Sequence, residues 1–255
     1  MYLPDWRQPQ NYSYTASLCV EQWAWEFLRR NKAYQQDWRW FWATWQSLEA
    51  RYGKPPERDF QRWERDPDAY RMVDDTSAEC RVDQDKMLIE CWMGAKWGFY
   101  KFPLDPATRQ PVIGEQLTWR EADESAQLVE DADSTYLHGE ARHVALGFEL
   151  DLPLRRQLEL AKRFLQLRQA RLRREGKITM RLVSSQKHRW CVMLRMLDGL
   201  QAGDDLDSVY AVVREQHGGP DGDSPAATLL HEAEKLVNGG YREMLRIPAK
   251  DRGNR

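Results

Sequence analysis

The sequence predicts an α+β protein that is mainly helical, with a small antiparallel sheet in its middle and a C-terminal helical domain of helix-turn-helix type. Three observations lead to this fold class. Apolar residues recur at helical spacing near both ends of the 255-residue chain. A stretch rich in aromatic residues and broken by glycines, residues 86–102, is typical of short strands. The last hundred residues divide into four amphipathic segments punctuated by glycines.

Residues 1–53 form a predicted tryptophan-rich helical module. The first fifty residues hold seven of the twelve tryptophans of the chain. Apolar residues at helical spacing predict one helix over residues 20–30. A second helix begins after Asn31, a residue type that caps helices, and ends at Gly53. The aromatic residues along one face of this second helix are Trp38, Phe41, Trp42 and Trp45.

These aromatic side chains have two interpretations. An aromatic stripe on a helix is more often part of a core than a binding surface. Two helices cannot bury so many rings between themselves, so we expect either the rest of the chain or a protein partner to cover them. The candidate partner-binding residues are Trp23, Trp38, Trp42 and Trp45.

The middle of the chain is predicted to hold a linker and the sheet. Residues 54–85 are polar and contain prolines, which indicates an irregular segment with a short helix near Phe60–Trp63. Residues 86–150 predict a small β region. We expect two strands within 86–102 and one or two more within 136–150, where apolar residues alternate loosely.

Residues 151–255 form the predicted C-terminal domain. Capping residues and glycines mark the ends of its first two helices. The first helix follows Asp151, a candidate cap, and runs to about Arg174. The second runs from about Lys187 to Ala202 and stops at a glycine.

Two further helices complete this domain. The third begins after the aspartate pair 204–205, either of which can cap it. The fourth has Ser224 as its predicted cap and Pro225 at its first position. The glycine pair 239–240 then permits a turn that returns Tyr241 to the core. A helix, a tight turn, a short helix and a further helix is the order of a helix-turn-helix module.

Charge is distributed unevenly along the chain. The net charge is −2, but residues 151–255 hold 20 Lys and Arg against 14 Asp and Glu, a net +6, and the remainder carries −8. From residue 154 to 195 there are 13 basic residues and only two acidic ones, Glu159 and Glu175. Such a segment attracts phosphates. The alternative is a solvated helix surface rich in arginine for solubility.

Neither a membrane segment nor an export signal is visible. No run of 18 apolar residues exists, and the N-terminus carries Asp5 and Arg7 where a signal peptide would be apolar. We therefore expect a cytoplasmic protein that is associated with the bacterial nucleoid when it is bound to DNA.

Metal, cofactor and enzyme signatures are missing from the sequence. The four cysteines form no C-x-x-C pair. His138 and His143 are expected on opposite faces of a strand, and His188 with Cys191 is an isolated pair. No G-x-S-x-G, phosphate-binding glycine loop or H-E-x-x-H occurs. We expect no metal, no cofactor and no catalytic residues.

Several stretches resemble a known family of regulators. The segments PDWRQPQNYSY and WAWEFLRRNKAYQQDW resemble an N-terminal module of proteobacterial regulators of integrative and conjugative elements. The segments LDLPLRRQLELAKRFL, LRMLDGLQAGDDLDSVYAVV and AEKLVNGGYREML resemble the variant helix-turn-helix domain that accompanies it. The order of the two modules is similar to that of the FseA-type transcriptional activators.

The resemblance implies a function and a set of partners. It implies a regulator that binds double-stranded promoter DNA and activates excision and conjugative-transfer genes. It also implies two protein partners, a small antiactivator that shares the variant domain, and RNA polymerase. These are expectations from the resemblance.

The fourth predicted helix is poor in residues that read bases. Arginine pairs with guanine edges and Asn or Gln with adenine, and its exposed positions offer none of these. Phosphate contacts by the arginine-rich first helix and its neighbours are therefore the better-founded expectation. The candidate DNA-binding residues are Arg155, Arg156, Arg163, Arg168, Arg171, Arg173, Arg174, Lys187, Arg189, Arg195, Thr228, His231, Lys235 and Arg242.

A second class of function stays open. The tryptophan-rich N-terminus and the poorly basic last helix also suit a protein-interaction module, either antiactivator-like or a scaffold. Such a module would bind a related regulator without itself reading DNA. Steep salt dependence separates DNA binding through phosphates from binding through an apolar interface.

Overall fold

The computed structural model confirms the predicted fold class, mainly helical with a small antiparallel sheet. The chain divides into two compact units, one of residues 1–122 together with 183–255 and one of residues 123–182. The predicted C-terminal domain, residues 151–255, is thus shared between the two units. The structure describes residues 4–72, 81–83, 86–100, 102–120, 144, 146–178, 183–217 and 225–247.

The N-terminal segment of the first unit is helical, as predicted. A 3-10 segment, Pro9–Ser17, leads into helix α1, Val20–Leu28, and helix α2, Lys32–Tyr52. The predicted cap of α2 is confirmed, because the side-chain oxygen of Asn31 accepts a hydrogen bond from the backbone N–H of Tyr34 at 2.9 Å. Gly53 ends the helix with a φ of +83°.

The predicted linker contains regular structure. The short helix α3, Phe60–Trp63, lies where the sequence places it. Strands β1, Tyr70–Met72, β2, Arg81–Asp83, and β3, Lys86–Leu88, form an antiparallel sheet in the order β1-β3-β2. The sheet is therefore antiparallel and small as expected, and β3 lies within the predicted β region, but β1 and β2 lie earlier in the chain than predicted.

The prediction of two strands over residues 86–102 is wrong for most of that stretch. After β3 the chain forms helix α4, Ile89–Trp97, which ends at Gly98 with a φ of +87°. Ile89, Met93 and Trp97 are four residues apart and all are buried, so a helical face enters the core. The strands expected within 136–150 fall largely outside the described residues, and residues 146–150 form none.

The second unit contains one long helix. Helix α5, Leu154–Arg174, has Pro153 at its N-cap rather than the predicted Asp151. Gly176, with a φ of +68°, follows its end, as the sequence predicts.

The remaining helices belong to the first unit. They are α6, Val183–Ala202, α7, Leu206–His217, α8, Ala226–Lys235, and α9, Tyr241–Met244, with a π-helical turn at Leu236–Gly240.

Local signals set several of these helix ends. Asp205 caps α7 by accepting from the backbone N–H of Ser208 at 2.9 Å. Pro225 occupies the N-cap of α8 rather than its first turn, and Ser224 lies outside the described residues. Gly239, with a φ of +125°, turns the chain so that Tyr241 is buried, as predicted.

Helix α6 is the centre of the first unit. Trp190, Leu194 and Met196 are buried, and the ring of Trp190 lies 5.3 Å from that of Trp23 on α1. Helices α7 and α8 pack on α6, while α1 packs on α6 and α9. The tryptophan-rich N-terminal module and the C-terminal helices α6–α9 therefore share one core.

A buried cluster of charges joins these two parts of the core. Arg30 of α1's C-terminal end donates to both carboxylate oxygens of Asp198 on α6, each at 2.7 Å, and to Glu26 at 2.6 Å. Tyr12 donates to the same Asp198 at 2.6 Å. Burial acts to raise the pKa of Glu26, but the guanidinium groups of Arg30 and Arg29 outweigh it and lower this pKa below its usual value.

Helices α6 and α7 approach closely at Gly199. An ideal Cβ at this position would lie 2.7 and 2.8 Å from the two methyl carbons of Val209. We expect Gly199→Ala to lower the free energy of unfolding by about 1–3 kcal/mol, because overpacking a core forces side chains off their rotamers.

Chemical denaturation of the purified chain measures this loss. The same substitution should cost less in a Val209→Ala background, where the methyl groups are gone. A Gly199→Ala variant more stable than the wild type, as helix propensity alone predicts, would show that the helices do not meet here.

Candidate nucleic-acid interface

Helix α5 presents a basic surface along its length. It has 21 residues and so extends ~31 Å. The Arg155 side chain is 94% exposed, and Leu172 is the buried residue of the helix. All the arginines that sequence analysis assigned to this helix are exposed, namely Arg155, Arg156, Arg163, Arg168, Arg171, Arg173 and Arg174.

The order of these residues places most of the positive charge on one side of the helix. At about 100° per residue, six basic residues fall in two adjacent rows. The rows are Arg155, Lys162 and Arg173, and next to them Arg156, Arg163 and Arg174. Arg168 falls on the other side, with Leu165 and Leu172, so the helix does not bring it to these rows.

Carboxylates neutralise only part of this surface. Glu159 lies 3.7 Å from Arg155, a loose pair at an exposed site. Glu175 accepts from Arg171 at 2.7 Å and lies 2.9 Å from Lys177. These hydrogen bonds lower the pKa of Glu175 to about 2. In the described part of the chain, no carboxylate pairs with Arg156, Lys162, Arg163 or Arg174.

Two predicted DNA-binding residues of α6 are engaged within the first unit. The Lys187 ammonium group donates to the backbone carbonyl of Ala16 at 2.8 Å. Arg189 lies 2.8 Å from Glu232 of α8, and its side chain is only 18% exposed. Both side chains support the packing of α6 in this structure.

Arg195 does not lie at the surface, and its prediction as a DNA contact is wrong. Its side chain is fully buried and donates to the carbonyl of Trp6 at 2.8 Å and to Gln216. Burial lowers its pKa. The sequence showed a basic residue in a basic stretch, but α6 is the central helix of the core, so Arg195 ties the N-terminal segment to α6 and α7.

Helix α8 exposes a short polar face. Thr228, His231 and Lys235 are exposed as expected, while Leu229 and Ala233 on the other side are buried. The exposed face contains no Arg, Asn or Gln, the residues that pair most specifically with guanine and adenine edges. This face therefore has little capacity to read bases, and the exposed Glu234 offsets the charge of Lys235.

The predicted partner-binding tryptophans separate into two groups. Trp23 and Trp45 are buried in the core, so their assignment to a partner surface is wrong. The rest of the chain covers them, which was one of the two outcomes expected. Trp38 is half-buried and Trp42 is 43% exposed, and their rings stack at 5.9 Å.

Arg242 is exposed at the start of α9, and the fold places it and a second arginine on carbonyls of the same short segment, residues 96–99. Arg242 donates to the backbone carbonyl of Lys96, at the end of α4. Arg120, which sequence analysis did not single out, donates to the carbonyl of Phe99 at 2.9 Å. No periodicity relates positions 120 and 242, so only the tertiary structure reveals this pair.

The described part of the chain gives no support for a metal site or a membrane-spanning helix. There, no group of three or more His, Cys, Asp or Glu side chains could hold a metal ion. Cys19, Cys91 and Cys191 are free thiols. No described helix is both long and apolar enough to cross a membrane.

Two families of transcription regulators match the chain. Residues 5–69 match the proteobacterial transcriptional regulator-like domain, and residues 150–246 match a family described as "T6SS, Transcription factor, DNA binding domain". No curated protein and no solved structure matches. The second match runs from α5 to α9, and so includes both the basic helix and the helices of the shared core. The two matches together support the assignment of this chain as a DNA-binding transcription regulator.

Proposed function

We propose that the protein binds promoter DNA and activates the excision and conjugative-transfer genes of an integrative and conjugative element. The resemblance to FseA-type activators supports the activator and mobile-element parts of this proposal. The two family matches support the regulator and the DNA-binding parts.

The observation that carries the proposal is the exposed basic face of α5. Six cations stand in two rows on one side of a helix, and four of them, Arg156, Lys162, Arg163 and Arg174, have no carboxylate partner in the described part of the chain. Cations in such an arrangement displace counterions from DNA, and this release supplies a large share of the binding free energy. Helix α8 adds Thr228, His231 and Lys235 as further proposed contacts.

Activation also requires a contact with RNA polymerase or with another protein. The stacked pair of Trp38 and Trp42 is the exposed remainder of the predicted partner surface, and we assign the partner contact to it. Tryptophan is enriched at the energetic centres of protein interfaces. A small antiactivator would be a competing partner.

A reporter assay tests the activator assignment. Promoters of the element's excision and transfer genes are fused to a reporter in a host that lacks the protein, and the chain is then supplied. We expect transcription from these promoters to rise and transcription from an unrelated promoter to stay constant. Repression, or an equal response of both promoters, would contradict activation.

A second candidate function is supported by the apolar side of α5. Leu154 is 46% exposed, Leu158 55% and Leu165 42%. Apolar residues at 154, 158, 161, 165 and 172 follow the heptad spacing of helices that pair with another helix. An antiactivator-like protein would use such a face to bind a related regulator. On this alternative, the purified chain would not bind promoter DNA by itself at low salt.

A further inference from the structure

Two arginines that are far apart in the sequence bind backbone carbonyls at one bend of the first unit. Gly98 adopts a left-handed conformation after α4, with a φ of +87°. Arg120 donates to the carbonyl of Phe99, on one side of this glycine, and Arg242 donates to the carbonyl of Lys96, on the other. A Cβ atom at Gly98 would lie 3.5 Å from the Arg242 Nε.

Neighbouring contacts fix both arginines in place. The backbone N–H of Arg120 donates to the carbonyl of Gly98 at 2.9 Å. The Tyr241 hydroxyl donates to the carbonyl of Trp97 at 3.1 Å, and its ring lies 5.6 Å from that of Trp119. The residues before Arg120 and Arg242 therefore pack on each other, and each guanidinium group is held by a backbone carbonyl rather than by a flexible partner.

No carboxylate neutralises this pair in the described part of the chain. The nearby Lys96 is paired with Asp37 at 2.7 Å, so Asp37 is already engaged. A guanidinium group has five N–H donors, and one bond to a carbonyl leaves the others available. Two guanidinium groups that are fixed in this way, with no carboxylate partner among the described residues, have donors with which to bind an anion.

We infer that Arg120 and Arg242 clamp a phosphate of the DNA backbone. Arginine binds phosphate oxygens through paired N–H donors, and its planar guanidinium group matches the geometry of a phosphate. Arg242 is the second residue of the short helix α9 and lies within the segment matched to a DNA-binding domain, which makes DNA the phosphate source. Arg120 lies outside both matched segments, so neither match assigns it a role.

The inference rests on the proposed DNA binding and extends it to the middle of the chain. It assigns the segment around residues 98–120 a direct contact with the nucleic acid. A phosphate contact does not distinguish one base from another, so its role would be to position the protein on the duplex.

Charge removal in the full chain tests the clamp. The variants Arg120→Gln and Arg242→Gln keep an N–H donor for the backbone carbonyl but lose the charge. Arg39→Gln is the matched control, because Arg39 is also exposed and bonded to a carbonyl, that of Gln35. Fluorescence anisotropy with a random-sequence DNA duplex, over a series of salt concentrations, measures the affinity. It also gives the salt slope, which is the steepness with which the logarithm of the affinity falls against the logarithm of the salt concentration.

We expect each clamp variant to bind about three- to tenfold more weakly than the wild type, with a salt slope lower by about 0.9. The Arg39→Gln control should match the wild type. Arg120→Lys and Arg242→Lys, which keep the charge, should restore most of the slope. These lysine variants also provide the test if a glutamine variant does not fold, as judged by circular dichroism.

Two results would overturn the clamp, and they have different consequences for the proposed function. If the wild type binds DNA with a steep salt slope but the clamp variants behave like Arg39→Gln, the clamp is wrong and the proposed function stands. If the wild type shows no salt-dependent binding, the proposed function fails and the clamp fails with it.

Discussion

Replacement of Arg156, Arg163 and Arg174 by glutamate is expected to abolish DNA binding by the protein, with a loss of affinity of about a thousandfold. These side chains form one exposed row of α5 and have no carboxylate partner in the described part of the chain. Three lost phosphate contacts at a slope of about 0.9 each account for most of the loss near physiological salt, and repulsion by the new carboxylates adds to it. A gel-shift titration measures the affinity.

A control of equal charge makes this test specific. Lys32, Arg39 and Arg65 are exposed residues of the first unit, and their replacement by glutamate changes the net charge by the same amount. That variant should lose no more than a few-fold in affinity. Equal losses in both triple variants would mean that total charge, and not the α5 surface, governs binding. Retained binding in the α5 variant would show that the contact surface is elsewhere.

Replacement of Asp198 by alanine is expected to lower the free energy of unfolding by about 3–5 kcal/mol. Asp198 accepts two hydrogen bonds from Arg30 and one from Tyr12, and its side chain is fully buried. The substitution leaves the Arg30 guanidinium group buried without this partner, and a buried charge that loses its partner is costly. Urea denaturation of the full chain, followed by tryptophan fluorescence, measures the change.

Two further variants interpret that result. Asp207→Ala removes an exposed carboxylate of α7 and should change stability by less than about 1 kcal/mol. Replacement of both members of the pair, Arg30→Met with Asp198→Leu, should recover part of the stability, because no unpaired charge then remains. An Asp198→Ala variant as stable as Asp207→Ala would show that the cluster does not join the N-terminal module to α6.

The helices could be predicted from the sequence because local signals set them. Asn31 caps α2, Asp205 caps α7, and a glycine with positive φ follows α2, α5 and α6. Each signal acts within a few residues and needs no tertiary contact. The arginine rows of α5 are equally local, since they depend only on the helical repeat.

Helix α4 could not be predicted in this way. Its sequence, IECWMGAKW, combines aromatic and branched residues with a glycine, which locally favours a strand. The buried face of Ile89, Met93 and Trp97 exists only because the core accepts it, so tertiary packing overrides the local preference.

Long-range contacts account for the other errors and omissions. Arginine and tryptophan are both common at binding surfaces, and nothing in the local sequence shows whether Arg195 and Trp23 are buried or exposed. They are buried because α6 and α1 are central helices. The pairs of Arg30 with Asp198 and of Arg120 with Arg242 join residues more than a hundred positions apart. No periodicity in a single sequence relates such positions.

The most direct test of the proposed function is a titration of the purified full chain against DNA upstream of its neighbouring genes, at two salt concentrations and with competitor DNA. We expect specific binding at low salt that weakens steeply as salt rises, because several phosphate contacts each release a counterion. An absence of binding at low salt, or an affinity that is indifferent to salt, would contradict the proposed function.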